Sequence, residues 1–363
     1  MATPLPDDLL DRPAPQAARL IALGLLDDAT EALSRLGHAD DGEALHDFRV
    51  AIRRLRSTLR AYKSLLKGSV RKKHRGVLGD LARATNAGRD AEVQLGWLRG
   101  QRERLTGRER TGARWLEARL EQRVQDEYAK VDSRIRRDFA KVSQRMRRKL
   151  AVYEQEVRTD GERPLTLGAA AAAELRRDAA DLTSKLGEIS AADDAKAAHT
   201  ARIAAKRVRY LLEPIAPQLG DAGGGAGGPA LVRRLKGVQD RSGELADSHQ
   251  FEEGLAAALA EAAAERARHT LAQSLEPAAE KARPGGDPRS GIIAVAKLVR
   301  ARRNAVFARI REWLGPGGGV EEVGREVEAI AIRLAGAPAA APETATDTET
   351  EARRRWRARE RAR

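Results

Sequence analysis

His46-Asp47-Phe48-Arg49-Val50-Ala51-Ile52-Arg53-Arg54-Leu55-Arg56 aligns without gaps to His199-Thr200-Ala201-Arg202-Ile203-Ala204-Ala205-Lys206-Arg207-Val208-Arg209. Each copy reads His-x-x-Arg-(Val/Ile)-x-x-(Arg/Lys)-Arg-(Leu/Val)-Arg. The match extends beyond the motif, because Leu78, Leu81, Thr85 and Asp90 correspond to Leu235, Val238, Ser242 and Asp247 at a constant offset of 157 residues. A long-period match of this kind predicts two homologous halves. The fold expected is all-α: two homologous helical bundles related by a pseudo-twofold axis.

Both motifs read as helices. Asp40, with Glu43 three residues on, is placed to cap the first; Ser190, with Asp193 three residues on, is placed to cap the second, which runs to Pro214. At 100° per residue, His46, Arg49, Arg53, Arg56, Arg60, Lys63 and Lys67 share a stripe about 100° wide, beside an apolar face of Phe48, Ile52, Leu55, Leu59 and Leu66. Residues 46 to 75 hold eleven Lys or Arg and one Asp. An ordinary solvated helix face alternates Glu with Lys, whereas like charges at i,i+4 repel. Such a stripe calls for a compensating anion. The second copy repeats it with His199, Arg202, Lys206 and Arg209, and further stripes run through Arg134, Arg137, Lys141, Arg145 and Arg148, and through Lys297, Arg300 and Arg311. The competing reading of any single stripe is a surface made basic for solubility; its duplication favours an anion site.

The composition agrees. Of 363 residues, 67 are Lys or Arg and 53 are Asp or Glu, a surplus of 14 positive charges that attracts anionic polymers. No Cys occurs, which excludes thiol nucleophiles, Cys-ligated metals and disulfides. Aromatics are 3% of residues, so cores must come from close-packed Ala-rich helices. No apolar run reaches membrane-span length and the first residues lack a secretory pattern, so a cytoplasmic protein is expected. Residues 1–16, with four Pro and Asp clusters, read as a disordered lead; helical halves are expected over 17–160 and 165–335, and 336–363 as a disordered Arg-rich tail. Gly220–Pro229 and Arg283–Ser290 read as loops between helices.

These motifs resemble those of the conserved histidine α-helical domain (CHAD) family, over about residues 17 to 335, with Leu-Glu-Pro-Ile (Leu212 to Ile215) closing the second motif helix. The resemblance implies two four-helix bundles packed side by side around a cationic groove or pore that binds inorganic polyphosphate, without catalysis, and association with polyphosphate granules. Carried over position by position, it implies a site lined by His46, Arg49, Arg53 and Arg56 and by His199, Arg202, Lys206 and Arg209. Arg54 and Arg207 also match, but helical geometry sets them about 80° from each His. Arg60, Lys63, Arg137, Lys141 and Arg145 extend the candidate set from the stripes.

Polyphosphate offers only oxygen acceptors, so rows of Arg forks and Lys charges suit it without stacking groups. A single-strand nucleic-acid site would interleave aromatics; a nucleic-acid-binding architectural protein is the second reading. A metal-dependent phosphohydrolase is the third, suggested by His46-Asp47, yet the six His show no metal-type spacing. No metal or cofactor is expected. His46 and His199 read as phosphate donors, with a structural role near the helix start as the alternative. Asp90 and Asp247 read as partners of arginines between helices.

Overall fold

The computed structural model describes residues 5–36, 43–152, 164–220, 227–275, 286–315 and 317–336. The chain is all-α: among the described residues there are ten α-helices and no strand. They are α1 (Ala14–Arg35), α2 (Ala44–Ala61), α3 (Lys72–Ala84), α4 (Asn86–Gly100), α5 (Gly107–Leu150), α6 (Leu167–Gly187), α7 (Ala195–Leu212), α8 (Gly228–Leu275), α9 (Arg289–Leu314) and α10 (Gly319–Ala335). The stretch around residue 160 read as the boundary, most of the Gly220–Pro229 loop, Asp40, the Arg134 side chain and the tail from 337 lie outside the described residues.

Local chemistry starts several of these helices. Thr106 and Glu109 form a reciprocal capping box on α5, with Thr106 N–H donating to Glu109 Oε2 at 2.8 Å. Thr166 caps α6 by accepting the Ala169 N–H at 3.2 Å. At α7 the organising carboxylate is Asp194, not Asp193. Its Oδ2 accepts the N–H groups of Ser190 and Ala191 and the Ser190 hydroxyl, each at 2.8 Å, and the helix begins at Ala195.

The expected disordered lead is corrected by the structure from Leu5 onward. Leu9 is fully buried in the main core, and helix α1 begins at Ala14, earlier than the expected Ala17. The reason is hydrogen bonding at the start of α6. The carbonyls of Arg12 and Leu10 accept the Leu167 and Gly168 N–H groups, both at 2.9 Å, while Leu165 C=O accepts the Ala14 N–H at 2.8 Å. A segment rich in proline thereby satisfies donors that a helix N-terminus leaves open. Gly168 permits the approach, since a Cβ there would lie 3.4 Å from Leu10 O and closer still to Leu334 O.

Two apolar cores result. The main one joins α1, α2, α6, α7 and α10 with parts of α3, α5, α8 and α9; Phe48 and Phe139 meet in it edge to face at 5.2 Å. The second joins α4, the N-terminal part of α5, the middle of α8 and the start of α9, where Trp97 meets Phe251 at 5.6 Å. Helices α5 and α8, of 44 and 48 residues, serve both. Helix α5 gives Ile135, Phe139 and Met146 to the first core and Leu116 and Leu120 to the second. At the α5–α9 crossing Gly112 and Gly291 face each other, and a Cβ on either would sit 2.7 Å from the Cα of the other.

Candidate functional site

Helices α2 and α7, which carry the two motifs, pack against each other. Their apolar faces behave as their periodicity requires: Phe48, Ile52, Leu55 and Leu59 on α2 and Ala198, Ala201, Ala205 and Val208 on α7 are buried. The cationic stripes therefore run along the flank of this contact.

Two cations lie well inside. Arg49 is only 5% exposed, and its Nη1 is buried with no hydrogen-bond partner. Burial, and then Arg53, push its pKa down to about 10, against the opposing fields of Tyr128 and Asp90. Lys206, half-buried on α7, is pushed down to about 7 by burial, then by Arg202 and by Arg53 of the other motif, with Asp247 opposing and Arg209 adding to the repulsion. Arg56 is likewise lowered by desolvation, Arg83 and Arg53. The two stripes thus merge electrostatically where Arg53 and Lys206 face each other. The arginines lie over glycines of neighbouring helices: Arg56 Nη2 is 3.7 Å from where a Cβ on Gly79 would stand, and Arg202 Nε is 3.4 Å from one on Gly243, both ordinary contact distances.

The halves position this cluster in parallel ways. Arg202 donates to Asp247 at 2.5 Å, while its equivalent Arg49 lies in the field of Asp90, the equivalent of Asp247. Asp90 in turn accepts from Gln250 of α8 at 2.8 Å, and both aspartates line one small cavity with Trp97 and Arg302. His46 and His199 are exposed near the starts of α2 and α7.

Other expected site residues are engaged elsewhere. Arg54 donates to Glu213 at 2.7 Å, Arg207 to Asp181 at 3.1 Å, and Arg60 to the buried Asp178 through two contacts, so these three join helices as ion pairs. Arg209 also pairs with Glu213, at 3.2 Å. Lys63 lies past the end of α2, which stops at Ala61, and so does not continue the helical stripe. Arg137 pairs with its neighbour Asp138 at 3.1 Å, whereas Lys141 and Arg145 line a groove between α3 and α5. The repeat comparison missed Arg83, Arg89 and Tyr128, because their counterparts at the 157-residue offset, Asp240, Ala246 and residue 285, do not match them in type. Tyr128 enters because Gly88 leaves space for its ring.

A protein-family model for the CHAD domain matches residues 21–256, about two thirds of the chain. The chain belongs to the CHAD family. That family is linked in general to polyphosphate binding and is generally a non-catalytic binding domain. Among solved structures, the CHAD domain from the plant Ricinus communis is similar with a TM-score of 0.57 at 18% identity, covering 91% of this chain and 95% of that one. PptA from Streptomyces chartreusis is similar with a TM-score of 0.54 at 16% identity, covering 83% of this chain and 99% of that one. At these identities the likeness shows the shared CHAD fold. No curated protein matches the chain. Among the described residues no group of three or more His, Asp or Glu is gathered to hold a metal, and no helix is long and apolar enough to cross a membrane.

Proposed function

We propose that this CHAD protein binds inorganic polyphosphate along the cationic cluster of α2 and α7, as a binding protein and not an enzyme. The observation that carries the reading is Lys206, half-buried and surrounded by Arg53, Arg202 and Arg209 drawn from both motifs. Holding such cations together costs free energy that a polyanion offsets, each phosphate oxygen accepting charge-assisted hydrogen bonds from guanidinium and ammonium groups. His46 and His199 stand at the open ends of the stripes as further donors. On this reading the two halves are copies of one bundle that share a single track, and the protein associates with polyphosphate granules in the cytoplasm.

The aromatic residues of the two motif segments favour polyphosphate over single-stranded nucleic acid. Phe48 and Tyr62 in the first and Tyr210 in the second are buried, which leaves them unable to stack on bases. Competition of long-chain polyphosphate against DNA, RNA and tripolyphosphate for the full chain tests the reading. Polyphosphate is expected to displace both nucleic acids at equal charge concentration, and the reverse order would overturn it.

A further inference from the structure

Helix α3 faces two ways. Gly79 and Arg83 turn toward Arg56 of the α2/α7 cluster, while Lys73, Val77 and Leu81, spaced four apart, centre about 140° away toward α5. Between that second face and the C-terminal part of α5 lies a cavity of about 300 Å³, at the small end of the range for small-molecule sites. No residue of α2 or α7 lines it, so it is separate from the α2/α7 cluster.

Its lining is divided by chemistry. Val77, Leu81 and Val142 form an apolar floor, and Lys73, Lys141 and Arg145 stand at its edge. Asp80 and Asp138 also line it, but each is engaged by an arginine, Arg83 and Arg137 respectively. Lys73, Lys141 and Arg145 make no ion pair among the described residues. Within this ring sits His74, only 6% exposed. Its Nδ1 accepts the Arg71 N–H at 3.4 Å, so in the neutral ring the proton resides on Nε2, the nitrogen left to donate. An N–H donor on a largely buried ring, beside three cations that make no ion pair among the described residues and two carboxylates already engaged by arginines, suits an anion; an apolar floor suits an anion with a body.

We propose that this groove binds a small phosphate ester, its phosphate held by Lys73, Lys141, Arg145 and His74 and its apolar body laid on Val77, Leu81 and Val142. Burial and then the cations Lys73, Arg71, Arg145 and Arg75 lower the His74 pKa, so a bound phosphate, which offsets those charges, raises it.

The test uses 1-naphthyl phosphate, 1-naphthol and inorganic phosphate as probes on the full chain. The ester is expected to bind at least about tenfold more tightly than either fragment, since each fragment forgoes one half of the lining. Lys141→Glu with Arg145→Glu, both exposed positions, should weaken it by about tenfold or more, and Arg53→Glu with Arg56→Glu should leave it unchanged. The His74 imidazole, followed by NMR, should titrate at higher pH with the ester present. Equal binding of inorganic phosphate and the ester would reduce the groove to a surface ion patch and overturn the proposal. Loss of ester binding in the Arg53→Glu, Arg56→Glu protein would likewise overturn it, by moving the site to the α2/α7 cluster. Because polyphosphate is absent from the assay, these outcomes are independent of the polyphosphate reading.

Discussion

Arg54 of α2 donates from Nε to Glu213 at the end of α7 at 2.7 Å, so a single carboxylate ties the two motif helices together. Glu213 is shared with Arg209, and the Arg54 side chain remains about one-third exposed. Arg54→Ala is expected to cost about 1 kcal/mol of stability, as partly exposed ion pairs do. It should change long-chain polyphosphate affinity by less than about threefold, because the Arg54 charge is already neutralised by Glu213. Urea denaturation and a polyphosphate titration check the two halves of this expectation.

Charge reversal within the cluster should act oppositely. Arg53→Glu with Arg56→Glu, or Lys206→Glu with Arg209→Glu, should each weaken long-chain polyphosphate binding by more than about tenfold. Tripolyphosphate, too short to bridge both stripes, should respond mainly to its local copy. Circular dichroism would establish that the variants stay helical. Unchanged long-chain affinity in either folded variant would leave that stripe as a solvated surface.

Salt offers an independent measure. If six Lys and Arg contacts release condensed counterions as on a single strand, the logarithmic slope of affinity against salt is roughly −4. A slope near zero would remove electrostatics as the basis of binding.

Lys206 sets a pH dependence whose sign follows from its pKa of about 7. In the unfolded chain the group titrates near the ordinary lysine value of about 10.4, so between these limits the unfolded state holds the extra proton. Burial of the charge therefore destabilises the fold fully below the lower limit, and stability rises with pH across the window. Lys206→Met should flatten that rise in urea titrations. Polyphosphate binds the protonated form, so affinity should fall as pH increases through about 7, with proton uptake on binding seen calorimetrically in buffers of different ionisation enthalpy. A pH-independent affinity that is also indifferent to Lys206→Met would contradict the placement of this lysine in the site.

The α5–α9 crossing should be intolerant of side chains. Gly112→Ala or Gly291→Ala forces the helices apart, since the new Cβ would lie 2.7 Å from the opposing Cα. A loss of roughly 1–3 kcal/mol is expected, as for overpacked interiors, measurable as a lowered urea midpoint.

The motif helices were legible because their information is local. Three- and four-residue spacing assigns Phe48, Ile52 and Leu55 to the core and Arg49, Arg53 and Arg56 to its flank; the structure buries the first three and leaves Arg53 and Arg56 at least partly exposed, but it buries Arg49 as well. What escaped the sequence depends on partners far along the chain. Nothing near Arg60 announces Asp178, nor does anything near Arg207 single out Asp181 from the other acids. Residues 5–12 carry a composition typical of disorder, yet order there comes from α6, whose donors their carbonyls satisfy. The stop of α2 at Ala61 has no Gly or Pro to mark it, so the stripe appeared to run on to Lys63 and Lys67. Lys141 and Arg145 repeat the periodicity of a cationic face, but periodicity does not tell which neighbouring helix that face will meet.

The length of α5 and α8 has a mechanical consequence. At 1.5 Å per residue they are rods of about 66 and 72 Å, and each is a shared beam for both interiors. Neither interior can melt without fraying the beams on which the other is built. Heat should therefore disassemble the molecule in one cooperative step, and a polymer gripped beside α2 and α7 should slow amide exchange as far away as Leu255 and Val295, in an interior it never touches.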